Sequence, residues 1–374
     1  MKLYAFGSNG SGQLGIGHDE DVSIPTECLF QGLPSSSTAS TIGSAKITRI
    51  AAGGNHTLVL FSDGAVYAAG CNEDGRCGWS SSETASQTEF RRVVVEDTVD
   101  GVVVDTFKDV SATWEATFLV SEGDKVIVFG SGAKGELGLG TNVLRAFAPA
   151  TVPDFPPSGA RVVSIASGMG HTVVVLSNGE VYGWGAARKG QLGESAMARK
   201  TVWAPVKVDV DGAGFGAVGA ACGREFTVIL GDNAAGEFAV LGSCDDKWGI
   251  RSGAPAPSSL VGGYRGLFAS WHGVYIHQGD SSVVAWGRND RGQLPPGDLP
   301  KPSQLAAGSE HALAVIDNQT VVAFGWGEHG NCGPDVDARG NVQGRFSRVA
   351  LPIERGSGVV GVGAGCATSW IIVS

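Results

Sequence analysis

Three histidines occupy one position of an internal repeat: His56, His171 and His311. Imidazoles that converge on one point could bind a metal ion or move protons. However, a metal site would not be scattered over three copies of seven, and the other copies carry unrelated residue types. Those residues are Ala116, Phe226, Gly273 and Thr368. We therefore interpret the position as a packing or hydrogen-bonding slot and predict no metal site.

The cysteines and glycine-rich turns also lack a catalytic constellation. Cys77 and Cys332 stand where clearer copies carry leucine, so we interpret them as small buried hydrophobes. The turn at 7–12 resembles a phosphate-binding loop, but it closes a strand pair and does not open a helix. No Gly-x-Ser-x-Gly nucleophile motif leads into a predicted helix. We therefore expect no catalytic residue, no cofactor bound by this chain and no enzymatic activity.

One glycine-rich turn, 325–333, carries side chains that its equivalents lack: Trp326, Glu328 and His329. Aromatic residues on an exposed turn are typical of a protein interface. The alternative is that Trp326 folds back on the neighbouring repeat.

Three other segments could extend this surface. The acidic loop 18–21 is either a solvated turn or a loop that faces a partner, Trp271 is a candidate anchor, and Arg188 gives another turn positive charge. Equivalent turns lie on one face when repeats form a ring. We therefore predict a partner-binding site made of these residues: His18, Asp19, Glu20, Asp21, Arg188, Trp271, Trp326, Glu328 and His329.

Seven copies of one pattern position these side chains. In the clearest copy, 3–15, an apolar strand ends in an aromatic-glycine pair, and a glycine-rich turn follows that closes with Gly-Gln-Leu-Gly. A second signature precedes each copy except the first. It is a step of small residues and another apolar strand, as in 50–60, that runs into a tight turn such as Asp-Gly.

The two ends of the chain complete one unit. The last step, 362–367, leads into a strand at 370–374 that has no second strand after it, and the chain begins with that missing strand at 2–7. Pairing the ends would close a ring and remove exposed sheet edges. The period of about 53 residues suits a large propeller blade. We predict an all-β fold, a single seven-bladed β-propeller domain over residues 1–374.

The connections between units differ in length. They shorten after the fifth, degenerate unit, so we expect abbreviated outer strands in the later blades. The serine-rich run at 35–40 is interpreted as a mobile loop.

Composition excludes several classes of function. The formal net charge is −10, which disfavours direct binding to nucleic acid. No apolar stretch approaches the roughly 18 residues that span a membrane, and no secretory signal is evident. Seven cysteines without a Cys-x-x-Cys pair indicate reduced thiols. We expect a cytoplasmic protein, with the nucleus as a second compartment.

Together, the aromatic-glycine pair, Gly-Gln-Leu-Gly and the Ala-x-Gly-x-x-His-Thr step resemble the family of the regulator of chromosome condensation over the whole chain. The resemblance implies a seven-bladed propeller. Segments 6–10 with 15–21, 325–334 and 365–372 are more similar to the fungal α-tubulin suppressors, also known as killer-toxin-insensitivity proteins.

The second resemblance implies a non-enzymatic scaffold. It would form a heterodimer with a small CSL-type metalloprotein, with iron or zinc held by that partner. The pair would support diphthamide synthesis on elongation factor 2 and wobble-uridine modification of tRNA by the Elongator complex. The wider family implies an alternative: guanine nucleotide exchange on a Ran-type small GTPase, to which the acidic loop 18–21 would be presented. A third class of function, a propeller with hydrolase or lyase activity, ranks below these two, because the sequence shows no polar groups that converge on the ring axis.

Overall fold

The computed structural model describes residues 1–32, 45–96, 101–210, 212, 214–260, 262–352 and 356–374. The serine-rich run at 35–40 lies outside these residues. The strands up to the middle of the chain are β1 (Lys2–Gly7), β2 (Val22–Glu27), β3 (Ile47–Ala52), β4 (His56–Phe61), β5 (Val66–Cys71), β6 (Ser86–Arg92), β7 (Val95–Glu96), β8 (Val103–Val104), β9 (Phe107–Ala112), β10 (Ala116–Ser121), β11 (Val126–Ser131), β12 (Arg145–Thr151), β13 (Val162–Ser167) and β14 (His171–Leu176).

The remaining strands complete the chain. They are β15 (Val181–Ala186), β16 (Thr201–Lys207), β17 (Gly219–Cys222), β18 (Phe226–Leu230), β19 (Phe238–Gly242), β20 (Tyr264–Ala269), β21 (Gly273–Gln278), β22 (Val283–Gly287), β23 (Gln304–Ala307), β24 (His311–Asp317), β25 (Thr320–Trp326), β26 (Asn341–Val349), β27 (Val359–Ala364) and β28 (Thr368–Val373). The helical elements with assigned bounds are α1 (Glu194–Met197) and a 3-10 turn (Pro257–Ser259).

Seven antiparallel sheets follow one another around the ring, and we number these blades by their glycine-rich turns. Blade one is β2-β1-β28-β27, blade two β3 to β6, blade three β9 to β12, blade four β13 to β16, blade five β17 to β19, blade six β20 to β22 and blade seven β23 to β26. The predicted seven-bladed propeller is confirmed. In the part of the chain that the structure describes, no helix is long and apolar enough to cross a membrane.

The second strand of a blade is the most buried. All six residues of β4, β10, β14, β21 and β28 are buried. Each of these strands has a partner strand on both sides and contacts neighbouring blades with both faces. This explains why the sequence shows a continuous apolar run such as 173–176 in these strands and not a polar-apolar alternation.

Blade one closes the ring from both termini, as predicted. β1 pairs antiparallel with β28 from Lys2 opposite Val373 to Gly7 opposite Thr368. Because β1 and β2 come from the start of the chain and β27 and β28 from its end, the ring cannot form without this pairing.

The glycine of the aromatic-glycine pair allows the third strand to pass close to the preceding turn. At Gly7 the φ angle is +117°, and a Cβ atom would lie 2.3 Å from the carbonyl oxygen of Ala367. The register of β1 with β2 shifts between Ala5 and Gly7. A larger residue would therefore meet both backbone strain and a steric clash.

The outer strands only partly follow the expectation from connection length. Blades five and six have three described strands each, as expected. Blade seven contradicts it, because β26 has nine residues. There the Asp337 carboxylate accepts hydrogen bonds from the amides of Arg339 and Asn341, and so fixes the turn that starts the long strand.

All seven cysteines are free. Cys77 and Cys332 are fully buried, as their positions in the repeat predict. Burial raises the pKa of both thiols above their ordinary value, so they remain protonated and act as small apolar residues.

Candidate functional site

Two kinds of connection lie on the same face of the ring: the turn between the first and second strands, and the glycine-rich turn after the third strand. This follows from the antiparallel order within each sheet. We call this side the turn face, and we call the side with the turns between second and third strands the hairpin face. All nine residues predicted to bind a partner lie in, or at the end of a strand leading into, connections of the turn face.

Blades seven and one meet on the turn face through side chains, which we call the closing cluster: Asp21, Trp326, Glu328 and His329. His329 Nδ1 lies 2.8 Å from an oxygen of the Asp21 carboxylate. The indole nitrogen of Trp326 donates a hydrogen bond to Glu328 at 3.0 Å, and the Trp326 and His329 rings pack edge to face with centroids 5.3 Å apart. The side chains of His329 and Asp21 are 38% and 42% exposed. The cluster is therefore preformed and accessible.

The acidic loop 18–21 is exposed yet anchored. Its anchor is the fully buried Asn9, whose backbone amide donates to the Asp21 carboxylate at 2.7 Å. The Asn9 side chain donates to the carbonyl oxygens of His18 and Glu20 at 2.8 and 3.2 Å. Since these contacts use backbone groups and Asp21, the exposed carboxylates of Asp19 and Glu20 are presented from a fixed loop.

Trp271 lies at the ring axis and not in the closing cluster. Its ring is 5.7 Å from that of Trp114, which occupies the equivalent turn of blade three, and the guanidinium of Arg224 lies 5.7 Å from the Trp271 ring. Both tryptophans line an axial cavity of about 160 Å³ that is walled mainly by small residues where the first strands end. Trp271 is half-buried.

Arg188 lies in a third place, a groove of about 640 Å³ between blades three, four and five. We call it the basic groove. Its charged lining residues are Glu115, Lys134, Glu136, Arg188, Lys189, Lys200, Arg224 and Glu225. The predicted site residues thus share a face, but the structure distributes them over three locations on it.

The recurring histidines join neighbouring blades. His56, His171 and His311 are buried, and the Nε2 atom of each lies 2.8 to 2.9 Å from a hydroxyl oxygen of the next blade, on Thr117, Thr227 and Ser369 respectively. Burial lowers the pKa of His56 to about 3 and those of His171 and His311 to about 4. These histidines are therefore neutral at physiological pH, and the interpretation as a hydrogen-bonding slot is confirmed.

Sequence reasoning missed a buried polar network between blades six and seven. The Glu310 carboxylate, 5% exposed, lies 2.9 Å from His272 Nδ1, 3.1 Å from an Arg288 nitrogen and 2.7 Å from the Gln293 amide nitrogen. Burial alone would raise the pKa of Glu310, but these hydrogen bonds and the charge of Arg288 lower it overall. The network fixes the turn that carries Trp271.

Trp114 and Arg224 were also missed, although the repeat contains a signal for them. Both stand two residues before the histidine slot, at the same repeat position as Trp271. An alignment of that position would have grouped the side chains that surround the axis.

Comparison with known proteins identifies the family. Residues 2–371 match the RCC1-like domain. An RCC1 repeat-containing protein of Schizosaccharomyces pombe is 30% identical over 99% of this chain and 98% of its own length. The secretion-regulating guanine nucleotide exchange factor of Mus musculus is 28% identical over 90% of this chain and 76% of its own length.

A solved structure has the same fold. The crystal structure of Prp20p from Saccharomyces cerevisiae superposes with a TM-score of 0.78 at 20% identity, covering 99% of this chain and 90% of that one.

These findings correct one expectation. We expected from the sequence that the chain is not an enzyme, but the relatives include a protein named as a guanine nucleotide exchange factor, and such factors catalyse nucleotide release. The matched domain and the 30% identity over nearly the whole length agree on the family. The chain belongs to the RCC1-like domain family of β-propellers.

Proposed function

We propose that this protein is a guanine nucleotide exchange factor for a small GTPase and that it acts through its turn face. The observation that carries the proposal is the acidic loop 18–21, which is exposed but held by Asn9 and His329. Relatives named as secretion-regulating guanine nucleotide exchange factors, 28% and 27% identical, support this reaction class.

The geometry suits the chemistry of exchange. A small GTPase retains its nucleotide through a lysine and Mg²⁺ that neutralise the phosphates. A carboxylate brought to that site competes with the phosphates for the lysine, so it stabilises the nucleotide-free GTPase relative to the loaded one. A loop that is already fixed loses little conformational entropy when it binds. Asp19 and Glu20 are the exposed carboxylates of this loop.

The release of a fluorescent GDP analogue from a panel of small GTPases, with a Ran-type member included, tests the proposal. We expect the protein to accelerate release, and Glu20→Lys to reduce the acceleration about tenfold, a loss of about 1.4 kcal/mol of transition-state stabilisation. Glu122→Lys is the matched control, since Glu122 is an exposed carboxylate on the hairpin face. Release at the intrinsic rate for every GTPase would refute the proposal.

A second candidate is a heterodimer with a small CSL-type metalloprotein that carries iron or zinc. The observation that favours it is the closing cluster, where Asp21 and His329 contact each other across the ring closure. Exposed aromatic and charged groups fixed in one place are suited to docking a protein. Diphthamide synthesis and Elongator-dependent tRNA modification would depend on that partner.

Co-purification with the metal-loaded partner, followed by calorimetry, distinguishes the two candidates. One-to-one binding that weakens about tenfold in Trp326→Ala, but not in Phe215→Ala, would support the heterodimer. Phe215 is a half-buried aromatic residue whose ring lies next to Gly231, in a turn of the hairpin face. Binding without exchange on any GTPase would replace the first proposal with the second.

We also propose a cytoplasmic location, with the nucleus as a second compartment. The seven free cysteines support a reducing environment. Fractionation of cells that express the tagged protein tests this.

A further inference from the structure

The basic groove is unusual for this chain. The protein has a formal net charge of −10, yet the groove brings together five cationic side chains and three carboxylates. Its volume of about 640 Å³ lies within the range of about 300–1,000 Å³ that is typical of ligand pockets. A concave site with locally reversed charge attracts ligands of the opposite sign.

Three of the five cations form no salt bridge with a described residue, although the charge of Lys134 acts on the nearby Glu136 carboxylate. These three are Lys134, Arg188 and Lys200. Lys189 pairs with Asp245 at 2.7 Å, and Arg224 lies over the Trp271 ring. The groove therefore retains unneutralised positive charge.

The backbone that carries these cations is fixed by turn contacts. The Lys134 amide donates to the Glu136 carboxylate at 2.5 Å, and the Lys189 amide donates to the Gln191 side-chain oxygen at 2.9 Å. The Lys200 carbonyl accepts the Ala187 amide at 3.0 Å. Because the turns are already ordered, binding would cost mainly side-chain entropy.

The groove favours a polypeptide ligand over a nucleic acid. Glu115, Glu136 and Glu225 line the groove, and their carboxylates would repel the continuous charge of a phosphate backbone. A peptide can place its carboxylates beside the free cations and its neutral residues elsewhere. The apolar side chains of Trp114 and Met169 also line the groove and offer contact area.

We propose that the basic groove between blades three, four and five binds an acidic polypeptide segment of a partner protein. The groove lies apart from the closing cluster of blades seven and one. The inference therefore does not depend on nucleotide exchange.

Fluorescence anisotropy with the purified full chain tests the inference. The probe is a short fluorescein-labelled peptide of glutamate and aspartate interspersed with serine and leucine. Its neutral counterpart contains glutamine and asparagine, and a labelled single-stranded oligonucleotide represents nucleic acid. We expect the acidic peptide to bind, the neutral peptide to bind at least about tenfold more weakly, and added salt to weaken binding.

Two pairs of variants place the site. Lys134→Glu with Arg188→Glu should weaken binding about tenfold or more, whereas Lys46→Glu with Arg348→Glu should leave it within about twofold. The control pair makes the same change in charge at exposed cations outside the groove. If charge reversal impairs folding, the neutral replacements Lys134→Gln with Arg188→Gln are used instead. They should weaken binding of the acidic peptide by an intermediate amount.

Three results would overturn the inference: no binding of the acidic peptide, equal losses in the two variant pairs, or tighter binding of the oligonucleotide. Exchange activity is measured separately on the same variants. If the unsubstituted protein catalyses exchange but does not bind the acidic peptide, this inference alone fails, and if it binds the peptide but catalyses no exchange, only the proposed function fails.

Discussion

The closing cluster and the basic groove lie on one face but are built in opposite ways. In the closing cluster the polar groups satisfy one another: Asp21 is held by Asn9 and His329, and Glu328 by Trp326. In the groove, Lys134, Arg188 and Lys200 form no such pairs among the described residues. One site is preformed by internal contacts and the other keeps free charge. Substitutions in the first should therefore affect stability, and substitutions in the second should affect only binding.

The largest expected effect concerns the backbone at the ring closure. Gly7→Ala would add a Cβ atom 2.3 Å from the Ala367 carbonyl oxygen at a φ angle of +117°. We expect the free energy of unfolding to fall by about 3 kcal/mol or more, measured by denaturant titration. Gly10→Ala is the control in the same turn, because a Cβ at Gly10 has no neighbour within 4 Å. Equal effects of the two substitutions would show that the closure does not depend on this close approach.

The second prediction concerns two of the buried histidines that join neighbouring blades, one at the closing cluster and one in the blades that form the basic groove. His311 joins blades seven and one, and His171 joins blades four and five. Both pKa values are about 4 in the folded chain and 6.5 when unperturbed. Between these values the unfolded chain binds more protons, so stability decreases as pH falls from about 6.5 towards 4. The slope is up to about 1.4 kcal/mol per pH unit for each histidine.

His171→Phe checks this pH dependence. Blade five naturally carries Phe226 at the same repeat position. Denaturant titrations across the pH range should show a shallower slope in the variant, by the contribution of one histidine. An unchanged slope would assign the acid sensitivity to other groups.

A smaller effect is expected for the ion pair of the closing cluster. His329 and Asp21 are more than a third exposed, so solvent screens their interaction. A double-mutant cycle with His329→Ala and Asp21→Asn should give a coupling free energy of at most about 1 kcal/mol in unfolding experiments. A coupling free energy of zero would show that Asp21 and His329 do not stabilise each other. The closing cluster would then not differ from the basic groove in this respect.

The smallest effect is expected for the groove. Because Lys134 and Arg188 form no salt bridge among the described residues, Lys134→Gln with Arg188→Gln should change the free energy of unfolding by no more than about 0.5 kcal/mol. Thermal and denaturant unfolding of the purified variant measure this. A clear loss of stability would mean that these cations serve the fold and not a ligand.

Much of the fold could be predicted from the sequence because each blade repeats the same local requirements. The aromatic-glycine pair marks the end of a third strand, and the incomplete units at the two termini indicate how the ring closes. The outer strand of blade seven could not be predicted from connection length, since it begins at a turn that Asp337 holds through two backbone amides.

The candidate site was only partly predictable. The sequence identified Trp326, Glu328 and His329 by their contrast with equivalent turns. Trp114 and Arg224 share the repeat position of Trp271, so an alignment of that position could have grouped them, but their contacts with the Trp271 ring depend on the ring geometry.

The sequence alone determined the number of blades, the ring closure and the face on which the unusual side chains lie, because repeat register and strand direction are local properties. Only the tertiary structure decided which side chains meet. Asp21 and His329 are 308 positions apart, and Lys134, Arg188 and Arg224 come from three blades. Their proximity depends on the ring geometry, which places each turn beside the turns of neighbouring blades. No pattern within a single repeat encodes that geometry.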